Sequence, residues 1–298
     1  MNQGVAHRDG VVSPLFQPAL LIGLAVFAAH VASAQPAVVP GGVLNAASFA
    51  KNASGQGTPV APGSLVSIFG TSLGTTQADA DTVPFSTSLG GVSVTFNGIS
   101  APLRDVVPAS QLVNAQIPFE VLAAGQTSGT VNVVVTVGTV QTPPQTVSIV
   151  AQAPGVFTIP PGVGNVVMAD ITKGFIVGPV GVNLGLGPMQ PIPRGDFAYF
   201  YATGLGAFMP SGNNAPVADG GVGVPGVTYN AVNMPQVTIG GIQAQVLFAG
   251  QAPGFPGVYQ VNIQIPQGAP TGDGIAVRMI SADGTQTSPD KVATISVQ

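Results

Sequence analysis

Val94 to Ala101 reads VTFNGISA, and Val237 to Ala244 reads VTIGGIQA. A pair such as Asn-Gly or Gly-Gly between two alternating runs signals a two-residue type I′ hairpin, because both turn residues must take positive φ. In the first copy such a turn sets Phe96 opposite Ile99, Thr95 opposite Ser100 and Val94 opposite Ala101. Val94, Phe96, Ile99, Ala101 and Leu103 then share an inward face. Val237, Ile239, Ile242, Ala244 and Val246 share it in the second copy, with Thr238, Gln243 and Gln245 outward. One apolar and one polar face is what a strand needs when its sheet packs on another sheet. Pro102 places the first return strand at a sheet edge, since proline donates no ladder hydrogen bond.

Two further blocks flank this phrase in the same order. GSLVSIFGTSLG, Gly63 to Gly74, is matched by GDFAYFYATGLG, Gly195 to Gly206. VNAQIP, Val113 to Pro118, is matched by VNIQIP, Val261 to Pro266. Three collinear blocks with indels between them mean a duplicated domain. Downstream of each, a hairpin and a closing strand complete the copy, with Asp283-Gly284 as the second hairpin's turn. Short strands at regular spacing, punctuated by Gly and Pro, define an all-β fold of two tandem β-sandwiches. The Pro- and Gly-rich stretch after Ala153 enters the second sandwich, with a hairpin over Val166 to Gly178 and an irregular loop from Asn183.

Ahead of the repeats, Ala19 to Ala29 is apolar and Ala32-Ser33-Ala34 reads as a cleavage site. That run is too short to span a bilayer and has the outline of a Sec-type signal peptide. The expected layout is therefore 1–34 signal peptide, 35–152 first sandwich and 153–298 second sandwich. The mature chain is expected to be secreted or held at the cell envelope or surface, with no transmembrane segment. An outer-membrane barrel is excluded by the short strands, the missing aromatic girdles and the polar terminus VATISVQ.

The chain has 298 residues, with 6% charged, 45% hydrophobic, no Cys and no Trp. A net charge of −4 without a basic stripe excludes nucleic-acid binding through phosphates. Both histidines, His7 and His30, precede the cleavage site. Without His or Cys the mature chain has no Ser-His-Asp or Cys-His unit and no zinc site of the usual kind. No cofactor is called for. Glu120 is the only glutamate, and the matched blocks share no acid.

The repeated phrases resemble the IPT/TIG immunoglobulin-like domain. They are more similar to a repeat-domain family of unknown function in secreted acidobacterial proteins. Further matches are VLNAASFA (Val43 to Ala50), APGSLVSIFG (Ala61 to Gly70), APGVFT (Ala153 to Thr158) and YATGLG (Tyr201 to Gly206). The wider family implies an immunoglobulin-like sandwich used in adhesion, surface display or spacing. The closer family implies no established site.

Candidate sites then rest on the side chains alone. Phe197, Tyr199 and Tyr201 fall on one face of their strand. If the Phe200 face is the core, they form an outward ladder able to stack on sugars or fill a partner's pocket. The simpler alternative is packing beneath a loop or the other domain. Asp79 and Asp81 in ADADT are candidate calcium ligands, although two carboxylates in a polar loop are also simply solvated. Asp219, Asp273 and Asp283 each precede Gly and read as turn residues. The function expected is a non-enzymatic module contacting an extracellular protein or glycan. The alternative is a carboxylate-dependent hydrolase, which needs paired acids about 5–9.5 Å apart.

Overall fold

A computed structural model describes residues 35–123, 125–289 and 292–298. The expected signal peptide lies outside the described residues. Seven principal strands form the first repeat: β1 (Ala37–Asn45), β2 (Leu65–Thr71), β3 (Val92–Phe96), β4 (Leu103–Val107), β5 (Leu112–Gln116), β6 (Ser128–Val137) and β7 (Gln145–Val150). Seven form the second: β8 (Met168–Asp170), β9 (Phe197–Thr203), β10 (Gln236–Ile239), β11 (Ile242–Gln251), β12 (Tyr259–Gln264), β13 (Gly272–Ile280) and β14 (Ala293–Val297).

Hydrogen bonding orders the first repeat as β1-β2-β5-β4 in one sheet and β3-β6-β7 in the other. The second repeats this order as β8-β9-β12-β11 and β10-β13-β14. A four-strand ABED sheet facing a three-strand CFG sheet is the constant-type immunoglobulin arrangement. Both repeats are therefore immunoglobulin-like β-sandwiches.

The duplicated phrase sits where the chain changes sheets. Asn97 and Gly98 have φ of 49° and 81°, and Gly240 and Gly241 have 59° and 85°, the positive pair of a type I′ turn. The register is the expected one, Phe96↔Ile99 and Thr95↔Ser100, then Ile239↔Ile242 and Thr238↔Gln243. After two paired residues the first chain leaves β3 and crosses to the other sheet as β4. Pro102 marks this crossing rather than an edge strand, and β4 is hydrogen-bonded on both sides. In the second repeat no proline intervenes. There β11 runs unbroken through both sheets, pairing with β10 up to Ala244 and with β12 from Gln245.

Val94, Phe96, Ala101, Leu103, Val237, Ile239 and Ala244 are buried as expected. Ile99 is only half-buried and Ile242 is exposed. Each is the first residue after its turn, where the alternation no longer coincides with burial. The buried apolar residues fall into two clusters, one drawn from Val38 to Ile149 and one from Val156 to Val297. The hairpin near Lys173 forms, with Ala169 opposite Ile176. The stretch from Asn183 is less irregular than expected, because Met189 and Gln190 add a strand and Met189 and Ile192 are buried.

The described residues form one compact unit. The repeats meet along a seam of hydrogen bonds. Thr203 Oγ1 accepts from the Leu65 N–H at 2.9 Å and donates to the Gly257 carbonyl at 2.8 Å. Asn45 Nδ2 donates to the Ala153 carbonyl at 3.0 Å. The second repeat's loop at Asp219-Gly220 lies on the first repeat. There Phe85 N–H donates to the Gly220 carbonyl at 2.8 Å, and Gly220 N–H donates to Gln116 Oε1. Phe119, just past β5, packs against the second core and meets Phe208 edge-on at 5.8 Å.

Candidate functional site

Equivalent rows on the outer faces of the two ABED sheets show how the repeats have diverged. In the first repeat β2 and β5 pair Leu65 with Gln116, Ser67 with Asn114 and Phe69 with Leu112. In the second, β9 and β12 pair Phe197 with Gln264, Tyr199 with Asn262 and Tyr201 with Gln260. The core-facing partners Ala198, Phe200 and Ala202 are fully buried, so the aromatic column does face outward. Leu65 and Ser67 of the first repeat thus correspond to Phe197 and Tyr199, Phe69 to Tyr201, and Leu112 to Gln260.

The first repeat's face is covered at its Gln116 end, while Phe69, Leu112 and Asn114 stay half-buried. Leu65, Ser67 and Gln116 are buried, and Gln116 is satisfied by the Gly63 carbonyl and Gly220 N–H. Gln264, its counterpart, is half-buried, as are Gln260 and Asn262. Phe197 is exposed at the far end, while Tyr199 and Tyr201 are half-buried. Tyr199 meets Tyr201 edge-on at 5.7 Å, and Tyr201 in turn lies 6.1 Å from Phe255. Burial, and then the neighbouring Tyr199 hydroxyl, raise the Tyr201 pKa above its ordinary value, so its phenol is neutral at physiological pH.

Two depressions flank this face. At the seam, Tyr201, Phe255, Phe157 and Phe49 converge on a cleft of about 420 Å³. Its first-repeat wall carries Leu65, Leu112 and a polar string: Ser67 Oγ donates to Asn114 Oδ1 at 2.6 Å, Asn114 Nδ2 to Asp105 Oδ1 at 2.6 Å, and Arg104 pairs with Asp105. Asp105 is buried, and these two donors satisfy its charge. On the other flank, Phe248, Gln260 and Asn262 border a groove of about 700 Å³ closed by the Val222 to Tyr229 loop. A β-bulge at Leu247 aims Phe248 at Asn262.

The ladder thus divides: Tyr201 lines the cleft, Tyr199 stands beside it, and Phe197 lies outside it. The amides of β12, Phe49, Phe157 and Phe255 escaped the sequence reading. The register of VNIQIP against GDFAYFYATGLG was the available signal for the amides. The other rings lie on connections whose course the repeat does not dictate.

Asp79 and Asp81 are both exposed. Among the described residues no group of three or more His, Cys, Asp or Glu converges as a metal site. Asp219 is not merely a turn residue. Its Oδ1 accepts from the Phe119 N–H at 2.9 Å, and its carboxyl feels the charge of Glu120. Desolvation, aided by the Glu120 charge and opposed by the Phe119 hydrogen bond, pushes the Asp219 pKa up to about 6. No helix among the described residues is long and apolar enough to cross a membrane.

The sequence matches no protein-family model and no curated protein. Among solved structures it is similar to SGBP-B of a Bacteroides ovatus mixed-linkage glucan utilization locus, solved with a mixed-linkage heptasaccharide. That likeness has 15% identity over 89% of this chain and 48% of that one, with a TM-score of 0.22. It is also similar to the I9-I11 tandem of titin (10% identity, 80% of this chain, 61% of that one, TM-score 0.20). A third is the C-terminal domain of the Streptococcus agalactiae AgI/II polypeptide BspA (9% identity, 89% and 100%, TM-score 0.18). The chain spans about half the length of the first of these and under two thirds of the second. At such TM-scores the immunoglobulin-like assignment rests on this chain's own strand order.

Proposed function

We propose that this chain is an exported, non-enzymatic binding module of two immunoglobulin-like domains, 35–152 and 153–298, related to the IPT/TIG-like secreted repeats. Its ligand lies on the open face of the second repeat and reaches into the seam cleft, in the service of adhesion or envelope assembly. The observation that supports this is the convergence of Phe49, Phe157, Tyr201 and Phe255 on one cleft. A concave, mainly apolar site of some hundreds of Å³ with a few placed polar groups is the usual form of a ligand site.

The acids at the seam favour no hydrolase. Glycoside hydrolysis needs paired acids about 5–9.5 Å apart across a sugar, and the acids that interact at the seam are Glu120 and Asp219. Neither lines the cleft or the groove.

The test is a fluorescence titration with anilinonaphthalene sulfonate on the intact chain. Saturable binding is expected. Leu112→Trp fills the cleft from a half-buried position, and Tyr201→Ala removes one wall. Each should weaken binding about fivefold or more, which corresponds to about 1 kcal/mol or more. Fluorescence that never saturates, or that is equal in all three proteins, overturns the reading.

A further inference from the structure

We infer that the occupant of the second repeat's outer face is a neutral polysaccharide chain, lying along the β9–β12–β11 rows with one end in the seam cleft. This rests on the binding reading above and names its ligand class.

The two copies supply the first argument. Their VN-x-Q-IP blocks put Asn and Gln at the same outward positions, yet the protein itself claims both ends of the Gln116 amide, whereas Gln264 is held only through its Nε2. In the second copy the Gln264 row is only half-buried, Phe197 is exposed, and the positions of Leu65 and Ser67 have become Phe197 and Tyr199. Across the sheet each row reads ring beside amide: Phe197 by Gln264, Tyr199 by Asn262, Tyr201 by Gln260, with Phe248 beyond Asn262 and Gln245 beyond Gln264.

The chemistry of that pattern is specific. A pyranose presents flat C–H surfaces and a rim of hydroxyls that both donate and accept. Ring faces suit the former, and side-chain amides, which also donate and accept, suit the latter. Gln260 Nε2 donates to Asn262 Oδ1 at 2.8 Å, which orients both amides. That bond leaves the Asn262 N–H groups and the Gln260 carbonyl directed to a ligand. Gln264 Nε2 is held by the Gly195 carbonyl at 2.9 Å, leaving its own carbonyl oxygen as an acceptor.

Charge narrows the class. Lys173 and Asp196 at the Phe197 end pair at 2.5 Å, and Arg104 in the cleft pairs with Asp105. Each pair is neutral in itself, so neither supplies net charge for an acidic polymer to complement. A continuous apolar peptide face would desolvate the amides of β12 without bonding them, which is unfavourable. From Phe197 to Tyr201 the track is about 13 Å, room for a short run of sugars before the cleft begins.

Affinity electrophoresis tests this. Native gels would contain hydroxyethylcellulose, galactomannan, acidic alginate or soluble gelatin. Retardation is expected in at least one neutral polysaccharide, undiminished by added salt. It should fall at least fivefold in Tyr199→Ala and in the Gln260→Ala/Asn262→Ala double variant, both judged folded by an unchanged melting curve. Retardation by alginate alone, or by gelatin alone, overturns the assignment. So does neutral binding that the variants leave intact. If no gel retards the chain while anilinonaphthalene sulfonate still saturates the cleft, the ligand class fails and the binding reading survives. If the fluorophore also fails to bind, both fall.

Discussion

Replacing Gly204 by serine, the residue that the first repeat carries at the same place as Ser72, should lower the melting temperature by about 10 °C. Gly204 has φ +92°, and a Cβ there would lie 1.9 Å from the Ala153 carbonyl oxygen. That oxygen already accepts from Asn45 Nδ2, and Gly204 itself accepts from the Ala153 N–H at 2.8 Å. The crowding is against backbone, which cannot turn aside as a long side chain would. Overpacking costs about 1–3 kcal/mol, and left-handed backbone strain adds about 1–2 kcal/mol. For a chain of this size each kcal/mol moves the melting point by about 2–4 °C. Ser72→Gly is the control: Ser72 already holds φ 54° beside the exposed Thr71, and its change should stay within about 1 °C. Differential scanning calorimetry reads both, and equal melting points for the two variants would dismiss this account of the seam.

Asp219→Asn should instead stabilise, and only above mildly acidic pH. The folded-state pKa of Asp219 is raised from 3.8 to about 6, first by desolvation and then by Glu120. A raised carboxyl pKa contributes stability that is fully present below the unfolded value near 3.8. That contribution is lost as pH rises through about 6. The loop at Asp219-Gly220 thus holds the first repeat better in acid than at neutral pH. The full linkage would be about 3 kcal/mol, but the carboxyl is partly solvated and screening reduces it to about 1–2 kcal/mol. Asparagine keeps an oxygen for the Phe119 N–H and removes the charge. The variant should melt with the parent at pH 4 and about 3–6 °C above it at pH 7.5. A difference that does not change with pH would exclude the acid pair as its cause.

The architecture was legible in the sequence because it is written in local chemistry repeated twice. Asn97-Gly98 and Gly240-Gly241 impose their turn, and the alternation about them decides which side chains are buried. The sheet change was not legible, since Pro102 carries the same local mark at an edge and at a crossing. That Phe197, Tyr199 and Tyr201 share one face followed from their period, but that this face is the outer one needed the burial of Phe200. Which outward faces stay open did not follow, because Gln116 and Gln264 are the same letter in the same motif. Only the docking of Asp219 and Gly220, distant in sequence, distinguishes them. The aromatic lining from Phe49, Phe157 and Phe255 likewise depends on loops that the duplicated blocks do not share.

The unbroken course of β11 has a consequence for recognition. Because one strand belongs to both sheets of the second repeat, the sheets cannot slide past one another without tearing its ladder. Phe248 and the β12 amides are therefore mounted on a laced frame, their positions set before any ligand arrives. A chain settling on them gives up its own freedom but asks little further ordering of the protein, which favours tight binding from a shallow surface. The first repeat, divided at Pro102, lacks that lacing, and the molecule itself covers the Gln116 end of its outer face.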